Sequence, residues 1–384
     1  MTGKHIEVSG LGTAFLPGKF GDACEDNPVR RFEAEDGNRN QAMKFLKRGG
    51  AVVLTGAWAD VRALQQEMLK HSDELLPNAI LSVSKNDRRE RVLATRHLRQ
   101  RVLATLEGAP IVDGVVTSTE LPGFLGETSL PDDMPILLPV QEAERLLTIP
   151  QSECFVRSID AGVIAHPDVL VPQSQETIDL VCEAIRSCEP HLPSSPKVLE
   201  IGCGSGVLCV ASWQILQHKQ PIITASDILP EAAATAAMNW RRLSAIGKAG
   251  PESALTTRVG SLFDSVPGER FDIIIFNAPW VVAPARTRLE LALNDEGQNT
   301  IRGFVMGSPA HLSPGGRVIV GYADNSGPKA MTRLEESFAA AGLVIEQVYK
   351  NRIHTHRAKR QWQSVFAYVL DVGEAVTSAR HCDK

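Results

Sequence analysis

Over the C-terminal part of the chain, short runs of consecutive apolar residues alternate with longer amphipathic stretches. Val198–Ile201, Pro221–Ser226, residues 255–260, 271–277 and Arg317–Tyr322 read as buried strands. Residues 207–217, 230–246, 298–311 and 328–341 read as the helices between them. That alternation predicts an α/β fold with a doubly wound, mostly parallel sheet. Residues 343–350 and 364–371 are apolar with no helix between them, so they are expected to close a seven-stranded, Rossmann-like sheet as an antiparallel hairpin. Upstream, Cys154–Arg157 and Val163–Ala165 flank Asp160-Ala161-Gly162 as a hairpin, and a helix is expected from Gln175 to Ser187.

The N-terminal pattern is less regular. Residues 1–40, rich in Gly, Asp, Glu and Asn, read as loop. A helix at Gln41–Arg48 and a strand at Ala51–Leu54 come next, with Gly49-Gly50 between them. Ala57–Leu76 reads as an amphipathic helix with Val61, Leu64 and Met68 on one face. Asn86–Leu106 reads as another, carrying Arg88, Arg89, Arg91, Arg96, Arg99 and Arg101. A solvated face explains those arginines better than a nucleic-acid surface, because Asp87 and Glu90 dilute them and no aromatics interleave. The tetrapeptide Val-Leu-Ala-Thr occurs at 92–95 and 102–105, a spacing that fits no repeat architecture. Residues 107–150 show only a short helix at Glu142–Leu147. The expected organisation is an N-terminal α/β or mixed domain over 1–150, serving substrate recognition, and a second domain over 151–384.

Composition narrows the setting. With 43% hydrophobic residues the chain can build ample core, and a net charge of −5 gives no global attraction to nucleic acid or anionic membrane. No apolar run is long enough to span a bilayer, and the first residues lack a signal core. The 7 cysteines show neither C-x-x-C nor zinc spacing. The expectation is a cytoplasmic protein without a metal.

Candidate chemistry concentrates in two stretches. The first is the strand Val198–Ile201 running into Gly202-Cys203-Gly204-Ser205-Gly206 and the apolar helix beyond. Glycines there let the backbone turn sharply and approach a ligand. The dinucleotide fingerprint is G-x-G-x-x-G, whereas this turn is G-x-G-x-G preceded by Glu200. A carboxylate at that position suits the cationic end of S-adenosylmethionine better than a pyrophosphate. Asp227, ending the next strand, has the spacing of an acid that takes a ribose diol. The second stretch is Asn277-Ala278-Pro279-Trp280, at the carboxyl end of the strand 271–276. The Asn277 side-chain oxygen and the Ala278 carbonyl can accept hydrogen bonds from an acceptor N–H, directing the nitrogen lone pair toward a methyl donor. Trp280 offers a flat face to a planar acceptor.

On these motifs, residues 154–371 resemble the HemK-type N5-glutamine methyltransferases of the Asn-Pro-Pro-Tyr class. Val171-Pro172 with Glu176-Thr177, the Glu200–Gly206 run, Asp227 and Asp295-Glu296-Gly297 carry the resemblance. It implies a class I methyltransferase fold with S-adenosylmethionine as cofactor. Glu200, Gly202, Cys203, Gly204, Gly206, Asp227, Ile228, Ser261, Leu262 and Asn277 are the implied cofactor contacts. Asn277, Ala278, Pro279 and Trp280 are the implied catalytic set. The chain departs from the family with Ala278 for Pro, Trp280 for Tyr, and Ser261 where an acid commonly contacts adenine. Its N-terminal part does not read as the family's small helical bundle. The expected activity is therefore methylation of an amide, guanidino or amino nitrogen on a small molecule or protein side chain. Glu290, Asp295 and Glu296 could pair with a cationic acceptor, although each taken singly reads better as part of a solvated acidic loop. Alternatives are adenine N6 methylation of nucleic acid, drawing on the arginine-rich helix and the basic stretch His354–Arg360, or a non-catalytic partner subunit. His354 and His356 read as surface histidines rather than metal ligands.

Overall fold

A computed structural model describes residues 3–24, 27–34, 38–71, 75–76, 88–106, 116–172, 174–354 and 362–372. The chain divides into two compact units, Met1–Ile149 and Pro150–Lys384.

The N-terminal unit is built on six strands: β1 (Lys4–Ser9), β2 (Gly12–Leu16), β3 (Val29–Glu33), β4 (Ala51–Thr55), β5 (Val102–Thr105) and β6 (Leu137–Pro139). They lie in the order β2-β1-β3-β4-β5-β6, with β1, β3, β4 and β5 parallel and β2 and β6 antiparallel at the two edges. Among the described residues it carries helices α1 (Arg39–Lys47), α2 (Trp58–Lys70), α3 (Arg88–Gln100), α4 (Leu121–Phe124) and α5 (Val140–Leu146). The α2 face is as expected, with Val61, Leu64 and Met68 buried, and Gln65 joins them.

Two expectations for this unit are corrected. Residues 1–40 are not loop, since they supply β1, β2 and β3. The strand signal is faint because only Val8 of β1 is buried, and the turn to β2 uses Gly10 and Gly12 at φ +85° and +92°. Nor does one helix span Asn86–Leu106. The helix ends at Gln100, and the next residues form β5, with Val102, Leu103 and Ala104 at most 2% exposed. Residues 86 and 87 lie outside the described residues, as do 107–115 and the basic stretch 355–360.

In the C-terminal unit, β7 (Cys154–Val156) and β8 (Ala161–Val163) pair as an antiparallel hairpin. Its turn falls at Arg157–Asp160 rather than at 160–162, because Asp160 takes the left-handed conformation at φ 49°. The main sheet contains β9 (Lys197–Ile201), β10 (Ile222–Asp227), β11 (Leu255–Val259), β12 (Phe271–Asn277), β13 (Leu312–Ala323), β14 (Leu343–His354) and β15 (Trp362–Val372). Their order is β11-β10-β9-β12-β13-β15-β14. The first five are parallel, while β15 runs antiparallel to both β13 and β14.

Helices α6 (Gln175–Cys188), α7 (Val207–Leu216) and α8 (Pro230–Ala245) cover one sheet face, and α9 (Asn299–His311) and α10 (Pro328–Ala340) cover the other. Ser174 caps α6 by accepting the Thr177 N–H at 3.2 Å. Both faces being covered, β12 is uninterruptedly apolar over Ile273–Phe276: Ile273 and Ile275 enter one core, Ile274 and Phe276 the other. Strand order reverses between β9 and β12. In open parallel sheets that switch point, at the carboxyl ends of the strands, is where ligands bind.

Candidate active site

Gly202, Gly204 and Gly206 all have positive φ, 65°, 49° and 77°, which side-chain-bearing residues rarely adopt. They differ in what surrounds them. A Cβ on Gly206 would sit 3.0 Å from the Ala236 backbone of α8, so this glycine lets turn and helix pack closely. A Cβ on Gly204 would meet only the Leu170 carbonyl at 4.0 Å, leaving an open cradle above the turn. Cys203 is buried, and its N–H donates to the Ser226 carbonyl at 3.0 Å, tying the turn to β10.

Asp227 faces the same turn. Its Oδ2 accepts the Gly204 N–H at 3.1 Å and its Oδ1 the Leu229 N–H at 2.9 Å. Each carboxylate oxygen keeps a further lone pair for a ligand hydroxyl. Burial pushes the Asp227 carboxyl up from its ordinary value, and backbone N–H donors oppose that shift. Ile228 beside it is 56% exposed, an apolar surface beside the acid. The Asp227 carbonyl accepts the Gly260 N–H at 2.9 Å, which brings exposed Ser261 alongside. Leu262 has φ 49° and lies against α9, where it limits the space at Gly303.

Glu200 is held differently from the open carboxylate its position suggests. It is 3% exposed, its Oε2 accepts the Cys209 thiol at 2.8 Å, and burial pushes its carboxyl up to about 8. Its folded state therefore holds a proton that the unfolded chain, at the ordinary 4.5, releases earlier. The stabilising contribution is complete below about 4.5 and is lost as pH rises through about 8. Glu200→Gln keeps the neutral form at every pH. The melting temperature of the variant relative to wild type is expected to climb across that window, measured by calorimetry from pH 4 to pH 9. A flat difference would show that Glu200 stays ionised.

The tetrapeptide adjoins this turn. Phe276 pairs with Ile201, so Asn277 falls in register with Gly202 on one side and pairs with Gly321 of β13 on the other. Neighbouring strands are about 4.8 Å apart, which sets the Asn277 backbone against the glycine turn. The Asn277 side chain is exposed, and among the described residues no hydrogen bond engages its amide. The Ala278 N–H is spent on the Gly321 carbonyl at 3.1 Å, and its own carbonyl has no partner among the described residues. Pro279 is buried, and Trp280 is half-buried against both cores. Ser326 secures the chain just past the tetrapeptide: its Oγ donates to the Trp280 carbonyl at 3.0 Å and accepts the Val282 N–H at 2.9 Å.

Two positioning residues escaped the sequence reading. Gly321 is the first: a Cβ there would lie 2.7 Å from Asn277 Oδ1, so only glycine leaves the amide its place. The available signal was an isolated glycine inside the buried strand Val318-Ile319-Val320-Gly321-Tyr322. Asn239 of α8, fully buried, is the second. It accepts the Ile164 N–H at 3.0 Å and donates to the carbonyls of Ile164 at 2.7 Å and Ser205 at 2.9 Å. No sequence pattern marks such a residue.

Two of the acidic residues beyond the tetrapeptide, Asp295 and Glu290, hold backbone N–H groups. Asp295 is 2% exposed and accepts the N–H groups of Thr300 and Ile301, both at 2.9 Å, at the start of α9. Glu290 accepts the Arg286 N–H at 2.6 Å, while Glu296 is exposed. Among the described residues no group of three or more His, Cys, Asp or Glu gathers, and no helix is long and apolar enough to cross a membrane.

A seven-stranded sheet in this order, with a final antiparallel strand inserted beside the fifth and a glycine turn after the first, defines the C-terminal unit as a class I methyltransferase fold. Residues 163–351 match the family model of the methyltransferase small domain. The resemblance drawn from the motifs therefore holds. A release factor glutamine methyltransferase of Geobacter sulfurreducens is 31% identical over 168 residues, 41% of this chain and 54% of that protein. Its counterpart in Cereibacter sphaeroides is 34% identical over 158 residues, 38% of this chain and 52% of that protein. A ribosomal protein uL3 glutamine methyltransferase of Bordetella pertussis is 28% identical over 162 residues, 40% and 51%. The chain thus spans about half the length of these curated relatives.

S-adenosylmethionine is the methyl donor this fold family implies, and the site's residues fit it. The cradle at Gly204, the acid Asp227 with lone pairs to spare, and exposed Ile228 lie along one edge with the unengaged Asn277 amide.

Proposed function

We propose that this chain is an S-adenosylmethionine-dependent N-methyltransferase whose acceptor is a side-chain amide nitrogen of a protein. The observation carrying the proposal is the exposed, unengaged Asn277 amide in register with Gly202 of the glycine turn. The names of the glutamine-modifying relatives support an amide acceptor. So does the acidic segment: Asp295 is consumed in capping α9 and Glu290 accepts a backbone N–H, which disfavours a guanidinium.

When bound, S-adenosylmethionine supplies a methyl group made electrophilic by its sulfonium. The chain's own contribution is orientation. Asn277 Oδ1 and the Ala278 carbonyl accept the two N–H bonds of a primary amide, which fixes its plane and turns the nitrogen toward the donor. They also stabilise positive charge as it develops on that nitrogen. The proton leaves to water after attack, so no strong base is required. Trp280 borders the amide plane. The N-terminal unit, outside the family match, is assigned the selection of the acceptor-bearing protein, in a cytoplasmic setting.

A radiolabelled methyl-transfer screen tests this with wild type beside Asn277→Ala, against free amino acids, a metabolite pool, glutamine-containing proteins and nucleic acid. Label is expected in protein, at an acid-stable amide, and lost in the variant. Label confined to nucleic acid would replace the proposal with base methylation. Cofactor binding with no label in any pool would leave the chain a partner subunit.

A further inference from the structure

The β14–β15 hairpin reaches beyond the edge that carries the site. Ala323, the last residue of β13, pairs with Val365, whereas β15 begins three residues earlier at Trp362, opposite His354. The hairpin therefore overhangs the carboxyl edge of β13 by roughly 10 Å, on the same edge as Asn277. An edge strand this long is ordinarily a liability unless it is charged or occupied.

One face of the hairpin repeats a single device from the sheet out into the overhang. Lys350, Arg352 and His354 alternate along β14 and so share a face, with Phe366, Ser364 and Trp362 opposite them. Lys350 Nζ sits 5.2 Å from the Phe366 ring centroid and Arg352 Cζ 5.3 Å from that of Trp362. The His354 ring stands edge-on to Trp362 at 5.1 Å. Trp362 is nevertheless 44% exposed. No acidic residue occurs between Glu346 and Asp371, although the whole chain carries a net charge of −5. Both of those flanking acids pair with Arg317, at 2.5 and 3.3 Å. Asp324 at the hairpin base accepts the Ser364 N–H at 2.9 Å.

We propose that this face binds a single strand of RNA beside the acceptor site. Aromatic faces alternating with cations are the chemistry by which unpaired bases are stacked while their phosphates are neutralised. An acidic peptide would satisfy the cations and leave the exposed ring of Trp362 without a role. The acceptor protein would then be met while it is associated with RNA. RNA binding is read without methyl transfer, so its failure is distinguishable from failure of the transfer activity.

The test is fluorescence anisotropy of the full chain with a labelled mixed-sequence RNA about 16 nucleotides long, titrated at several salt concentrations. Affinity should fall as salt rises, and Trp362→Ala should weaken it roughly five- to hundredfold. Combining Lys350→Gln with Arg352→Gln, at exposed positions that leave the fold intact, should reduce the slope of log K on log salt by about 1.4. Three results would overturn the proposal: no salt-dependent binding by folded wild type, unchanged binding by both variants, or equal competition from a polyglutamate of matched charge.

Discussion

Asn277→Ala is expected to lower kcat for methyl transfer about 10²- to 10³-fold, the scale seen when one preorganised group facing developing charge is removed. The affinity for S-adenosylmethionine, read by calorimetry, should change far less. Asp227 and the glycine turn, held together by the Gly204 N–H to Asp227 bond of 3.1 Å, do not depend on the Asn277 side chain. Because the position is exposed, the variant should fold as wild type does, and a thermal melt checks that lost activity is not lost structure. Equal losses in transfer and in cofactor affinity would reassign Asn277 to cofactor binding. Unchanged kcat would remove it from the chemistry.

The second large effect is expected at a residue that touches no ligand. Gly321→Ala places a methyl group 2.7 Å from Asn277 Oδ1, 3.4 Å from its Cγ and 3.3 Å from its Cα, so the amide has to move. Displacing a reacting or orienting group by about an ångström costs on the order of 10² in rate. The loss should appear in kcat with KM for the cofactor nearly constant. Some stability should go too, about 1–3 kcal/mol for an overpacked position. The decisive comparison is the double variant: in an Asn277→Ala background, Gly321→Ala should bring no further loss of kcat, because the amide it displaces is gone. Additive losses would mean that Gly321 acts through the sheet generally.

Much of the C-terminal unit was legible because its signals are local. The run Ile273–Phe276 is apolar on both faces as a doubly covered strand must be, and the positive-φ glycines after Ile201 mark a turn that glycine makes most readily. Asn277, Asp227 and the glycine turn share the carboxyl edge because the alternation of strands and helices makes these strands parallel. What escaped depends on tertiary context. Val-Leu-Ala-Thr at 92–95 lies in a helix, and the same four residues at 102–105 form a buried strand between β4 and β6. Propensity cannot separate two identical tetrapeptides; their neighbours do. Glu200 was legible as an acid at a strand end, but its protonation follows from burial, which the Cys209 thiol nine residues on only partly opposes. Gly321 was visible as a glycine, yet its reason is a side chain on the adjoining strand.

Asn239 sets a lower limit on what can be cut from this protein and still work. A single amide grips the N–H and C=O of Ile164 and, through the same nitrogen, the carbonyl of Ser205 inside the glycine turn. A fragment starting at β9 would retain every residue proposed to meet the cofactor or the acceptor, and the whole main sheet. It would still lose the strap that steadies the turn from behind, and would strand Asn239 in the core with its accepting oxygen unsatisfied by Ile164. The smallest excisable catalytic piece therefore begins upstream of Ile164, at the β7–β8 hairpin, well before the first residue that meets a ligand.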